Sequence, residues 1–191
     1  MVEKPKFHHD PALREGDIVF TAGNSILSRL IRWASRGWGE SKTKVNHIGV
    51  ITTPGSLLTA DITEALWKVR THNLYRRYSG GRNKVCIVRA VGIPPHILVK
   101  IAARAESYTG RKYGWWKLGL HFGDKLLGGV YFFRRLSFLK KRPICSFVVA
   151  EAWAHFGYTF GVPYGGAQPD DIWDFIMYGK DYVVIRTLRE L

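Results

Sequence analysis

Cysteine is scarce: the 191 residues hold only Cys86 and Cys145. Two are too few for a disulfide framework, and no paired spacing of the zinc-binding kind accompanies them. The fold must therefore rest on its core, and a chain of this length can build a full one. Acids are also short, 15 Asp and Glu against 29 Lys and Arg, for a net charge of +14. That excess suits polyanionic surroundings or a polyanionic substrate, or serves solubility alone. No apolar run approaches the ~18 residues that a transmembrane helix needs. Met1 to Glu15 is polar and lacks the apolar core of a signal peptide, so a cytoplasmic location, membrane-peripheral at most, is expected. His8, His9 and Asp10 within it read as a flexible arm rather than a metal site. Internal repeats, Gly-rich phosphate loops and RNA-binding signatures are missing, which weighs against nucleic acid as a partner. No metal or cofactor is expected.

What is there describes an ordinary globular chain, with 46% hydrophobic and 23% charged residues. The reading is a polar arm over 1–15 and one domain over 16–191. Gly16 to Thr21 reads as a strand. A helix capped by Asn24 or Ser25 follows, then a polar loop from Arg36 to Lys44. Asn46 to Thr52 is the clearest strand and stops at the turn Pro54-Gly55-Ser56. Leu57 to Ala60 and Ile62 to Val69 read as the next strands of an antiparallel meander, and Lys84 to Val91 as another. Pro94-Pro95 opens a helix from about His96 to Tyr108, closed by Gly110. From about 114 to 142 an insert interleaves aromatic residues with Lys and Arg, and Asp124 is its only acid. Behind Cys145, Val149, Ala152, Trp153 and Phe156 recur at helical spacing until Gly157. A short helix over Ile172 to Met177 and a strand over Asp181 to Thr187 complete the chain. Strands cluster in the middle with helices around them, and there is no βαβ alternation. This is an α+β pattern.

Two residues carry the chemistry. Cys145 lies in the first turn of an apolar helix, where unpaired backbone N–H groups and the helix dipole favour a thiolate. The alternative is a small buried filler. A thiol needs an imidazole to ionise near neutral pH, and the imidazole needs an orienting group. Among seven histidines, His47 opens the strongest strand, rigidly aimed, with the small Gly49 leaving room on one face. The others lie on the arm, in loops, at a helix start or among aromatic residues. His72 is assigned to a basic loop. Glu64, among apolar neighbours on the next strand, is the orienting acid of choice, with Asp61 as the fallback.

Gly16-Asp17-Ile18-Val19-Phe20, Asn46-His47-Ile48-Gly49-Val50, Thr63-Glu64-Ala65, Gly110-Arg111-Lys112-Tyr113, Ile144-Cys145-Ser146 and Gln168-Pro169-Asp170-Asp171 follow in this order. Together they resemble the circularly permuted papain-like family, the YiiX-like branch of the NlpC-type cysteine peptidases, over about residues 16 to 187. The histidine precedes the cysteine, as in the permuted branch. The resemblance implies a central antiparallel sheet or barrel flanked by helices. It also implies Cys145 as nucleophile, His47 as base and Glu64 as third residue. Tyr113 would line the site and donate to an oxyanion, with Ser146 beside it. Phe147 replaces an acid that the family often carries.

The activity implied is hydrolysis of an amide in a peptide or cell-wall peptide, without a cofactor. The alternative is a lipid acyltransferase or thioesterase at an anionic membrane surface. For that reading the insert supplies Trp115, Trp116, Arg134 and Arg135 as substrate or interface candidates. A non-catalytic polyanion-binding domain is the further alternative.

Overall fold

The computed structural model describes residues 12–23, 44–80, 83–112 and 144–188. The helix expected from Asn24 or Ser25 and the insert lie outside them. The described elements are strand β1 (Ile18–Ala22), β2 (His47–Thr53), β3 (Asp61–Ala65) and β4 (Val69–Asn73), then the short helix α1 (Leu74–Tyr78). Strand β5 (Lys84–Ala90), helix α2 (Pro95–Glu106), helix α3 (Cys145–Ala154), helix α4 (Pro169–Tyr178) and strand β6 (Tyr182–Leu188) follow. The six strands form one antiparallel sheet in the order β4-β3-β2-β1-β5-β6, with helices against it, an α+β architecture. The chain is docked from Leu13 onward: its N–H donates to the carbonyl of Gly55 at 2.7 Å and its side chain is buried.

Period-two alternation sorts the strands into two apolar faces. Ile18, Phe20, Ile48, Val50 and Val88 pack in one cluster with Ile101 and Ala105 of α2, with Val148, Val149 and Trp153 of α3, and with Ile172 of α4. Val19, Ile51, Ile62, Val85 and Ile87 face the other way, against Leu57, Leu74 and Tyr78. Helix α3 is buried from Cys145 to Trp153, as an apolar-all-round helix must be. Its one acid, Glu151, is held by Arg104 of α2, Nη2 to Oε1 at 2.5 Å and Nε to Oε2 at 3.1 Å. That bidentate pair joins the two helices across the core. Gly157, at φ +86°, ends the helical segment in the left-handed region that glycine tolerates. Helix α4 starts where the acids sit: the Gln168 N–H donates to the Asp171 carboxylate at 2.9 Å.

The meander differs from its sequence reading in two places. Leu57 to Ala60 is a turn, closed by the Ala60 N–H to the Ser56 carbonyl at 2.9 Å and by the Thr59 hydroxyl accepting from the Ser56 N–H at 3.0 Å. Ile62 to Val69 is not one strand. The chain reverses over Leu66 to Lys68, and β4 returns along β3 with Ile62 opposite His72 and Glu64 opposite Arg70. His72 is therefore a strand residue.

Candidate active site

The site forms at the start of β2, where the sheet meets the N-terminus of α3. Pairing sets Gly49 of β2 directly opposite Glu64 of β3. His47 lies two residues before Gly49 and so shares its face. A Cβ on Gly49 would meet Ile62 Cδ1 at 2.7 Å and Glu64 Cβ at 3.1 Å. With no Cβ there, Glu64 reaches diagonally across, and the His47 Nε2 contacts Glu64 Oε2 at 2.5 Å. The Glu64 side chain has no exposure and that of His47 only 15%. Asp61, the fallback acid, lies at the far end of β3 and pairs with Asn73.

Glu64 holds more partners than the sequence suggested. The Tyr78 hydroxyl donates to Oε2 at 2.5 Å, and the His72 Nε2 lies 2.7 Å from Oε1. Arg77 Nε is 3.5 Å from Oε1. Burial alone would raise the Glu64 carboxyl. The charge of His47 and the hydrogen bonds from His47, His72 and Tyr78 outweigh it and hold the group well below the carboxylate range. Glu64 is thus a carboxylate that only accepts, so both imidazoles donate to it through Nε2–H.

Cys145 is the first residue of α3, behind the extended Ile144. The first helical bond runs from the Val148 N–H to the Ile144 carbonyl at 3.2 Å, so the preceding N–H groups fall outside the ladder. The sulfur accepts from the backbone N–H groups of Ser146 and Ile48 and is hydrogen-bonded to the His47 ring. Burial pushes the Cys145 thiol up, but the charge of His47 and these hydrogen bonds win, and the thiol lies below its ordinary value. Burial likewise depresses His47, yet Glu64 and Cys145 more than compensate, and it is raised to about 10. Each group shifts the other in the same sense, which favours the thiolate together with the imidazolium. Cys86 provides the contrast: it is buried on β5, and burial raises its thiol, with Thr187 offsetting only part.

The structure brings Cys145, His47 and Glu64 together and places Ser146 next to them. The Ser146 hydroxyl is buried and has no hydrogen-bond partner among the described residues; its backbone N–H reaches the sulfur. Tyr113, Trp115, Trp116, Arg134 and Arg135 lie outside the described residues. Sequence reasoning missed His72, Tyr78 and Arg77. Among the described residues no group of three or more His, Cys, Asp or Glu side chains is arranged to hold a metal ion. No helix among them is long and apolar enough to cross a membrane. No protein-family model matches the chain, and no curated protein is significantly similar to it.

Proposed function

We propose that the chain is a cysteine hydrolase with a circularly permuted papain-like fold, acting on an amide bond of a peptide or cell-wall peptide. The observation that carries this reading is the imidazole of His47, held by Glu64 at Nε2 and interacting with the Cys145 sulfur, whose thiol it lowers. A structural histidine has no need of a charged sulfur at a helix N-terminus, and a filler cysteine has no need of an imidazolium.

The Cys145 thiolate attacks the carbonyl carbon, the C=O π pair moves to oxygen, and a tetrahedral oxyanion forms. The oxyanion collapses, the C–N bond breaks, and the His47 imidazolium delivers its proton to the leaving amine. An acyl-thioester on Cys145 results. His47, now neutral, takes a proton from water as that water attacks the thioester, and the thiolate leaves. Glu64 keeps the ring in one tautomer and one orientation and stabilises its charged form, as a third member does in other triads.

A second reading, transfer or hydrolysis of a lipid acyl group at an anionic membrane, draws on one observation. The β3–β4 turn that follows Glu64 and Ala65 carries Trp67 at 76% exposure, with exposed Lys68 and Arg70 beside it. A large indole among cations suits an interface.

The test is trapping. The protein is incubated with activated acyl esters, peptides and lipids, and adducts are sought by peptide-resolved mass spectrometry. An acyl group on Cys145, lost in His47→Ala, is expected, and the acyl donor distinguishes the two readings. Absence of any acyl-Cys145 across the three classes would remove both.

A further inference from the structure

We propose that His72 is a positioning residue for the Cys145–His47 pair, fixing one oxygen of Glu64 so that the other stays aimed at His47. The inference rests on the function proposed above and adds a fourth side chain to its machinery.

A carboxylate on a flexible side chain has two interchangeable oxygens. It orients an imidazole only if its rotation is stopped. At Oε2 both contacts, His47 Nε2 and Tyr78 Oη, measure 2.5 Å. These two donors hold Oε2, and a partner on Oε1 is needed to fix the plane of the group from its other end. At Oε1, His72 Nε2 lies at 2.7 Å, whereas Arg77 Nε lies at 3.5 Å on a side chain that is 42% exposed. The Arg77 contact is long and solvent-screened. Arg70 lies opposite Glu64 in the register, but its side chain is exposed. Among the described residues, His72 is thus the short, directional contact that makes the two oxygens unequal.

His72 is well placed for this. It stands on β4, paired with Ile62, one strand beyond the one that carries Glu64. Strand placement limits its freedom, so its ring is delivered by the backbone rather than by a mobile loop. The Glu64 side chain has no exposure, so no bulk water stands ready to replace a lost donor.

The readout is the pH profile of Cys145 carbamidomethylation by iodoacetamide, followed peptide by peptide. In His72→Leu the donor is lost, and the profile is expected to move up by about one pH unit. On its acid side the rate then falls roughly tenfold. His72→Gln keeps an N–H near the position of Nε2 and is expected to stay within about twofold of the unsubstituted chain. A His72→Leu protein with native circular dichroism and an unshifted profile would overturn the inference, as would a Gln variant shifted as far as Leu. An ordinary thiol profile in the unsubstituted chain would sink the hydrolase reading together with this one. A lowered profile that ignores His72 sinks only this one. Should the Leu variant not fold, the unsubstituted chain serves. Carbamidomethylating Cys145 with iodoacetamide caps the sulfur as a neutral thioether, and the ring N–H resonance of His72 is expected to move together with that of His47. A His72 resonance that stays put rejects the proposal.

Discussion

Gly49 lies directly across the sheet from Glu64, and a Cβ at Gly49 would stand 3.1 Å from the Glu64 Cβ. The missing side chain is what lets the carboxylate lean toward His47. Gly49→Ala is therefore expected to strain both site and fold. The new methyl pushes on Ile62 and Glu64, costing about 1–3 kcal/mol in stability. It should also slow Cys145 alkylation at least ~10-fold, because displacing Glu64 loosens its hold on the His47 ring that lowers the thiol. Denaturant melts and labelling rates measured on the same protein check both.

The two cysteines should separate cleanly by reactivity. At pH 6 an ordinary thiol is under about 1% thiolate. Cys145, with its lowered thiol, is expected to react with iodoacetamide on the order of 100-fold faster there than Cys86, whose thiol burial raises. His47→Ala removes the imidazolium and leaves desolvation opposed only by the backbone N–H groups of Ile48 and Ser146, so its Cys145 profile should rise toward the ordinary thiol range. Equal, slow labelling of both cysteines contradicts this.

Stability should depend on pH through the same groups. Glu64 is depressed below its ordinary 4.5, so its contribution is complete above about 4.5 and is lost as pH falls through its folded value. His47 is raised from 6.5 to about 10, so its contribution is complete below about 6.5 and is lost as pH rises toward 10. The lowered Cys145 thiol, whose contribution grows as pH rises toward its ordinary 9.0, offsets the His47 loss between about 6.5 and 9, so melting temperature should fall on the acid side and again only as pH climbs from about 9 toward 10. Glu64→Gln should flatten the acid limb and reduce the alkaline one, because His47 loses the carboxylate that raises it. Near pH 6 the substitution should cost about 3–5 kcal/mol, since it leaves a charged imidazole without its partner. Thermal melts across pH decide it.

Trp67→Ala and Lys68→Glu address the choice between amide and lipid substrates. If the turn seats on a bilayer, the unsubstituted chain should sediment with anionic vesicles. The Trp67→Ala/Lys68→Glu double variant should do so at least ~10-fold more weakly, since the indole is lost and a cation becomes an anion. Cys145 alkylation in solution should be unaffected. Recovery of the unsubstituted chain in the supernatant alone would leave the amide reading.

Much of the site was legible because strands project side chains on a fixed period. His47, Gly49 and Glu64 could be placed from the alternation of their apolar neighbours, and Cys145 from the helical spacing behind it. His72, Tyr78 and Arg77 could not. The reversal at Leu66-Trp67-Lys68 contains no Gly, Pro, Asn or Asp, so nothing in composition marks it. Without that turn His72 has no register against Ile62. Val69-Arg70-Thr71-His72-Asn73 does not alternate as a half-buried strand does, and α1 is a single short turn. Leu57 to Ala60 misled in the opposite direction. Its residues look strand-forming, but Ser56 and Thr59 satisfy the local backbone as a turn instead.

His47 and Glu64 are 17 residues apart and come from adjacent strands of one meander. Cys145 arrives only with α3, in the far part of the chain. During synthesis the acid and the base can therefore meet while the nucleophile is still unmade or still in the exit tunnel. The sulfur therefore joins its imidazole only once α3 has been made and has docked against β2.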